Sequence, residues 1–231
     1  LPEMHLPNHP DTLFALVNSL LEAGYRWLLV QEHSVEQLDG SPLSSQQRFV
    51  PNRLVARSCS GEEVSITALI KTQGSDTKLV GQMQPCEEAF GLSRQRLGNV
   101  EIPSLVSQIA DGENGGVMMN EFPEAFRQAN RRIRDSQPDT AALNGSEYLE
   151  QLEAMGLKTS DHPRIQAVHQ HRLWQRAGDS GDVESVATSI DELSSANDGF
   201  SMEGASWTNN LSWVEGYDNV LQPMQRFSAS F

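Results

Sequence analysis

Apolar and polar positions alternate along this chain with two different periods, and the change of period divides it. Leu13, Leu16, Val17, Leu20 and Leu21 recur at helical spacing, with Asp11 as a capping residue before them and Gly24 after them, which predicts an amphipathic helix over residues 12–23. The run from Arg26 to Gln31 is almost continuously apolar, as in a parallel strand covered on both faces, and it releases Glu32 and His33 into a loop. The Ser, Gln and Pro content of residues 41–52 predicts a long excursion. Strands follow at 53–57 and 64–71, with a turn at Ser60-Gly61-Glu62-Glu63 between them. Residues 87–96 read as helix and 103–110 as a further strand that delivers Asp111 to its end, where Gly112, Gly115 and Gly116 permit a tight loop.

Beyond Met118 the pattern is helical. Residues 121–134 carry Glu121 and Glu124 in their first turn and Arg131, Arg132 and Arg134 in their last, matching the helix dipole at both ends. Asn144 with Glu147 forms a capping-box pattern opening a helix that Gly156 closes. Residues 163–177 and 183–193 read as two more helices, and Ser212 with Glu215 opens a last one. The expected fold class is α/β, with a boundary near Gln137-Pro138: a part built of strands and helices over 1–136, then a mostly helical segment over 137–231.

Composition narrows the function. The chain has 231 residues with 38% hydrophobic content, enough for a substantial core. A net charge of -14 opposes binding to a nucleic-acid backbone or an anionic membrane, so neither is expected as a partner. No apolar run approaches the ~20 residues that span a bilayer, and no basic stretch or cleavage site opens the chain, so a cytoplasmic location is expected. Cys59 and Cys86 are too few for a disulfide scaffold and lack zinc-site spacing; they read as reduced thiols.

Two carboxylates stand where an apolar or extended segment gives way to a polar loop: Glu3 in Leu1-Pro2-Glu3-Met4, and Asp111 in Ala110-Asp111-Gly112-Glu113-Asn114. Such a pair suits a retaining glycosidase, in which one ionised carboxylate attacks the anomeric carbon while a protonated one assists the leaving oxygen, only if the fold brings the two together; by residue type alone, acids at loop entrances are commonly solvated surface groups or helix caps. Glu113 is placed to couple to Asp111, or is a solvated loop acid. His33, at a strand end, is a candidate for a sugar hydroxyl, and His5 and His9 flank Glu3. Trp207 lies in a polar loop, as a sugar-stacking ring would, whereas Trp213 and Tyr217 are four apart on one helix and fit core packing better than sugar stacking. Asn209 and Asn210 bind hydroxyls or make loop hydrogen bonds. His169 and His171 would share one side of a strand and suggest a metal, but on the expected helix they point apart, so no metal site is assigned.

The run Leu1-Pro2-Glu3-Met4, followed by a helix and the strand at 27–31, resembles the third signature region of glycoside hydrolase family 57, where a Trp/Leu-Pro-Glu segment carries the nucleophile. The strand ending in Asp111-Gly112-Glu113-Asn114 resembles the fourth signature, whose Asp is the general acid/base, and Ser206-Trp207-Thr208-Asn209-Asn210-Leu211-Ser212-Trp213 is similar to the aromatic-rich final region lining the sugar site. The resemblance implies Glu3 as nucleophile, Asp111 as acid/base, and Trp207, Trp213, Asn209, His33 and Glu113 around the substrate, with no cofactor. It implies an α-glucan-type oligosaccharide or polysaccharide as substrate, cleaved or transferred with retention. It also implies a partial (β/α) barrel followed by a helical segment: the family's earlier histidine-containing signature is absent, so an open sheet with an exposed edge is expected. Two other classes stand beside it. A metal-dependent polysaccharide deacetylase would use His5 and His9, which have His-x-x-x-His spacing but no accompanying Asp motif, and a non-catalytic carbohydrate-binding protein would hold glucan without turnover.

Overall fold

Burial of the apolar stripes organises a single five-stranded sheet in the computed structural model, which describes residues 6–72, 84–107, 122–136, 140–178, 182–196, 199–202 and 204. Helix α1 (Pro10–Glu22) is followed by β1 (Trp27–Gln31), β2 (Val35–Gln37), β3 (Asn52–Arg57) and β4 (Glu63–Lys71). Helix α2 (Gln84–Gly91), the hairpin β5 (Gln95–Leu97) and β6 (Val100–Ile102), and α3 (Phe122–Asp135) come next. The described chain then forms α4 (Gly145–Ala154), β7 (Arg164–Ala167), α5 (Gln170–Ala177) and α6 (Val183–Ser195). The strand order is β1-β4-β3-β7-β2, with β1 parallel to β4, β3 parallel to β7, and the β3/β4 and β2/β7 pairs antiparallel.

The α/β expectation therefore holds, with a sheet of mixed direction. No ladder joins β1 to β2 among the described residues, yet the sheet is strongly curled. Five strands laid flat would separate β1 from β2 by about 19 Å. Only the three residues Glu32–Ser34 connect them, a link that spans at most about 15 Å. Twist alone leaves the lateral separation unchanged, so the edges must bend towards each other.

One face of the sheet carries Leu28, Val30, Leu54, Ala56, Ile66, Ala68, Ile70, Ile165 and Ala167, packed with Leu13 and Val17 of α1. The other face packs Leu69, with Trp27 and Leu29, against Tyr148, Leu149 and Leu152 of α4. The alternation within β1, Leu28 and Val30 to one core and Trp27 and Leu29 to the other, is why this strand reads as continuously apolar. Gly145 lies under the Trp27 ring, where a Cβ would come within 2.5 Å of it, and this lets α4 approach the sheet. Helices α5 and α6 form a separate cluster around Leu173, Val186 and Phe200, and α2 pairs with α3 through Cys86 and Ala129.

Local signals located most element ends. Gly24 adopts φ +85 and closes α1 through Gly24 N to Leu21 O and Tyr25 N to Leu20 O, each about 3 Å. The Asn144–Glu147 capping box is present in both directions, at 3.0 and 2.9 Å. The cap of α1 differs from expectation: His9 is the N-cap with Pro10 behind it, and Asp11 instead accepts the Cys59 N–H at 2.7 Å.

Three assignments are corrected. Residues 87–96 are not one helix: α2 ends at Gly91, and β5 begins at Gln95. The next strand is β6 at 100–102, not 103–110; Pro103 has no N–H for a ladder, residues 103–107 carry no strand, and the remainder of that range lies outside the described residues. Residues 163–177 hold strand β7 and then α5, separated by His169 at φ +72, so the second half contributes a strand to the interior of the sheet and is not only helical.

Candidate functional site

The short link between β1 and β2 makes a rim. Gln31 at the end of β1 lies in register with Lys71 at the end of β4, and Ser34 O accepts the Val168 N–H at 3.1 Å, so the carboxyl end of β7 meets the same turn. The turn carries Glu32 and His33. Glu32, with only 15% of its side chain exposed, forms an ion pair with Arg48 at 2.8 Å. Burial, followed by the Lys71 ammonium, holds the His33 imidazole below its ordinary pKa of 6.5, opposed only by Glu32. Burial, helped by the Glu32 charge, raises the Glu88 carboxyl on α2 above its ordinary value. The rim thus gathers the carboxyl groups of Glu32 and Glu88, the second biased towards its protonated form, an imidazole biased towards its neutral form, and the cationic side chains of Arg48 and Lys71.

Three chain segments are tied to this rim. Asn8 O accepts from Gln170 Nε2 at the start of α5, directly after β7, and Asn8 Nδ2 donates to Ser201 O at 3.1 Å. Gly204 presses so closely on the same segment that an added Cβ would lie 2.3 Å from Leu6 O and 2.8 Å from Asn8 N. On the β4 side, Ser107 Oγ donates to Ile70 O at 3.1 Å, and Leu105 N donates to Phe49 O at 2.9 Å. Leu6 follows Glu3 by three residues, Ser107 precedes Asp111 by four, and Gly204 precedes Trp207 by three.

Glu36 of β2 locks the start of α5 in place. Its buried carboxylate accepts the His169 N–H at 3.1 Å, the His171 N–H at 2.8 Å and Gln166 Nε2 at 3.0 Å. This holds His169 in its left-handed conformation, with its ring 5.4 Å from that of Phe200. The His171 ring turns the other way, its Nδ1 3.1 Å from Leu38 O, so the two histidines do not converge.

Glu3, Asp111, Glu113, Trp207, Asn209 and Trp213 lie outside the described residues, as do His5, Asn210 and Tyr217. His33 is the assigned site residue that the structure describes, and it sits on the rim. His9 also lies at the rim's edge, with a buried Nδ1 that has no hydrogen-bond partner among the described residues. No group of three or more His, Cys, Asp or Glu suited to a metal occurs among the described residues. Both cysteines are free and buried; burial and the neighbouring Asp11 push the Cys59 thiol up to about 11, so it is protonated and a poor nucleophile at neutral pH. Sequence reasoning missed Arg48, Lys71, Glu88 and Gln170. Their roles arise from partners far away in the chain, and no local pattern marks them.

The rim's histidine gives a pH expectation. His33, and His162 beneath α4, are both held below 6.5, in each case chiefly by burial. The unfolded chain then binds more protons than the folded one, so their contribution to stability is complete above about pH 6.5 and is lost as pH falls through that value towards the folded pKa values. The melting temperature is expected to fall between pH 7.5 and 5.5, and to fall less in His162→Gln, the more deeply buried of the two. An unchanged melting temperature across that window would contradict both assignments.

No helix among the described residues is long and apolar enough to cross a membrane. None of the known protein families, curated proteins or solved structures compared with the chain matches it.

Proposed function

We propose that this protein is a retaining glycoside hydrolase or transglycosylase of the family 57 type, acting on α-glucan-type oligosaccharides or polysaccharides. Glu3 is the nucleophile and Asp111 the general acid/base. What supports the reading is that described residues close in sequence to each of the three signature segments, Leu6 and Asn8, Ser107, and Gly204, are tied to strand ends around the β1–β2 turn. Chain length alone keeps Asp111 within about 15 Å of Ser107, and Glu3 within about 11 Å of Leu6. Trp207 leaves from Gly204, which is packed on the segment that follows Glu3.

In the first step the Glu3 carboxylate attacks the anomeric carbon while Asp111 gives its proton to the departing glycosidic oxygen. In the second, Asp111 takes a proton from water or from a sugar hydroxyl, which displaces Glu3. His33, kept neutral, hydrogen-bonds a substrate hydroxyl without adding charge beside the nucleophile. Glu113, Trp207, Asn209 and Trp213 line the sugar.

Two inversions make one retention, so the product of maltoheptaose cleavage is expected to appear first as the α-anomer. Proton NMR during turnover reads this directly. Release of the β-anomer, or no cleavage or transfer of maltoheptaose, would contradict the reading.

A further inference from the structure

On the sheet face opposite α1, helix α4 packs over β1 and β4, but over β3 and β7 the sheet forms the floor of an open groove with α5 as its wall. The groove has a volume of about 410 Å³, within the range of small-ligand sites. Alternation along the strands puts Val55 and Arg57 of β3, Arg164 and Gln166 of β7, and Glu63 of β4 on this face. The chain carries 31 Asp and Glu against 17 Lys and Arg, yet here two guanidinium groups flank one carboxylate. We infer that the groove binds a small organic oxyanion, its carboxylate or phosphate head held by Arg57 and Arg164 and its partly apolar body lying along Val55 and Leu38. Such a site uses none of the residues assigned to glycoside hydrolysis, and it stands whether or not that chemistry occurs.

Three features select such a ligand. Glu63 stands in register with Arg57 and pairs with Arg164 at 3.2 Å, so these three side chains together carry one net positive charge. A neutral ligand would leave that charge unmatched. Arg57 is also held in place: its guanidinium carbon lies 4.2 Å from the centre of the Trp174 ring, whose Nε1 donates to Gln170 Oε1 at 3.0 Å. A ring takes up the face of a guanidinium, whereas an oxyanion is bound through its N–H edge in a forked geometry, so the two contacts are compatible. Trp174 therefore supports the arginine and is not itself a surface for the ligand. Finally, Leu38, 40% exposed, and Val55 give the same groove an apolar side, which gains from being covered by the body of an organic molecule. A bare inorganic ion would leave it in water.

Calorimetric titration of the full chain with phenyl phosphate, benzoate, inorganic phosphate and benzyl alcohol tests the site. The first two carry the alternative heads on one kind of body, inorganic phosphate lacks the body, and benzyl alcohol lacks the charge. Phenyl phosphate or benzoate is expected to bind saturably at millimolar concentrations, about tenfold or more tighter than benzyl alcohol, and the tighter of the two names the head group. Arg57→Gln and Arg164→Gln are each expected to weaken that binding about tenfold. Because Arg57→Gln also uncovers Trp174, melting temperatures are measured in parallel, and Gln175→Glu serves as a variant that removes no contact of the fold. It places a negative charge at an exposed position on the groove wall, and is expected to weaken the charged probes about threefold or more while leaving benzyl alcohol unchanged. The site is overturned by no saturable binding of either charged aromatic probe, by benzyl alcohol binding as tightly as they do, or by unaltered affinity in both Arg164→Gln and Gln175→Glu. Inorganic phosphate binding as tightly as phenyl phosphate overturns the organic body.

Discussion

Replacing Glu3 with Gln is expected to lower kcat/KM for maltooligosaccharides by about 10³-fold or more, equivalent to about 4 kcal/mol of transition-state stabilisation. The neutral amide keeps the shape of the carboxylate but cannot form the glycosyl-enzyme intermediate. Asp111→Asn is expected to cost about 10²–10⁴-fold on the same substrates, the usual worth of a positioned general acid. The two variants part company on an activated substrate. With a dinitrophenyl glycoside the leaving group departs without protonation, so the loss in Asp111→Asn shrinks for the first chemical step while that in Glu3→Gln persists. Steady-state kinetics on both substrates, with melting temperatures to verify folding, read the difference. A loss below tenfold in either variant on maltooligosaccharides is too small for these roles.

Gly204→Ala is the structural counterpart, and it is expected to lower activity sharply without touching a reacting group. Gly204 has φ +54, a conformation that costs any L-residue with a Cβ roughly 1–2 kcal/mol. Its added methyl would also meet Leu6 O at 2.3 Å and Asn8 N at 2.8 Å. These are backbone atoms and cannot rotate away. The segment leading to Trp207 must then lift from the segment following Glu3, and the Asn8–Ser201 hydrogen bond goes with it. A total cost of about 2–4 kcal/mol is expected, with a fall in melting temperature and a loss of activity of at least tenfold. Gly199→Ala is the internal control. It has φ +82 but nothing among the described residues within 4 Å of the added Cβ, so the backbone cost of about 1 kcal/mol is what is expected. Equal effects of the two substitutions, in melting temperature or kcat/KM, would show that close packing at Gly204 does not matter.

The elements that were legible in the sequence are those whose signals are local. The stripe of α1 with Gly24, the Asn144–Glu147 box, and the long apolar runs of β1 and β4 each carry their own start, stop or period within a few residues. Strands β2 and β7, of three and four residues, are too short to show a period of two, and the signal for β7 was absorbed by the helix that follows it. What makes them strands is non-local: Val35 pairs with Ala167, and Leu54 with Ile165. The candidate site divides in the same way. Motif spelling singles out Glu3 and Asp111, and the position after β1 singles out His33. The Arg48–Glu32 pair, the influence of Lys71 on His33 and the raised Glu88 depend on the curl of the sheet, which no stretch of sequence announces. Gly204 is legible only in retrospect, as the one residue type that fits against Leu6.

The central claim is geometric, that folding sets the Glu3 and Asp111 carboxyl groups across one cavity at the rim. The separation between those groups in a crystal structure measures it directly. The account predicts about 5 to 5.5 Å, the spacing of a nucleophile and its acid/base partner in retaining enzymes. A separation beyond about 10 Å, or carboxylates pointing to opposite sides of the molecule, would contradict it.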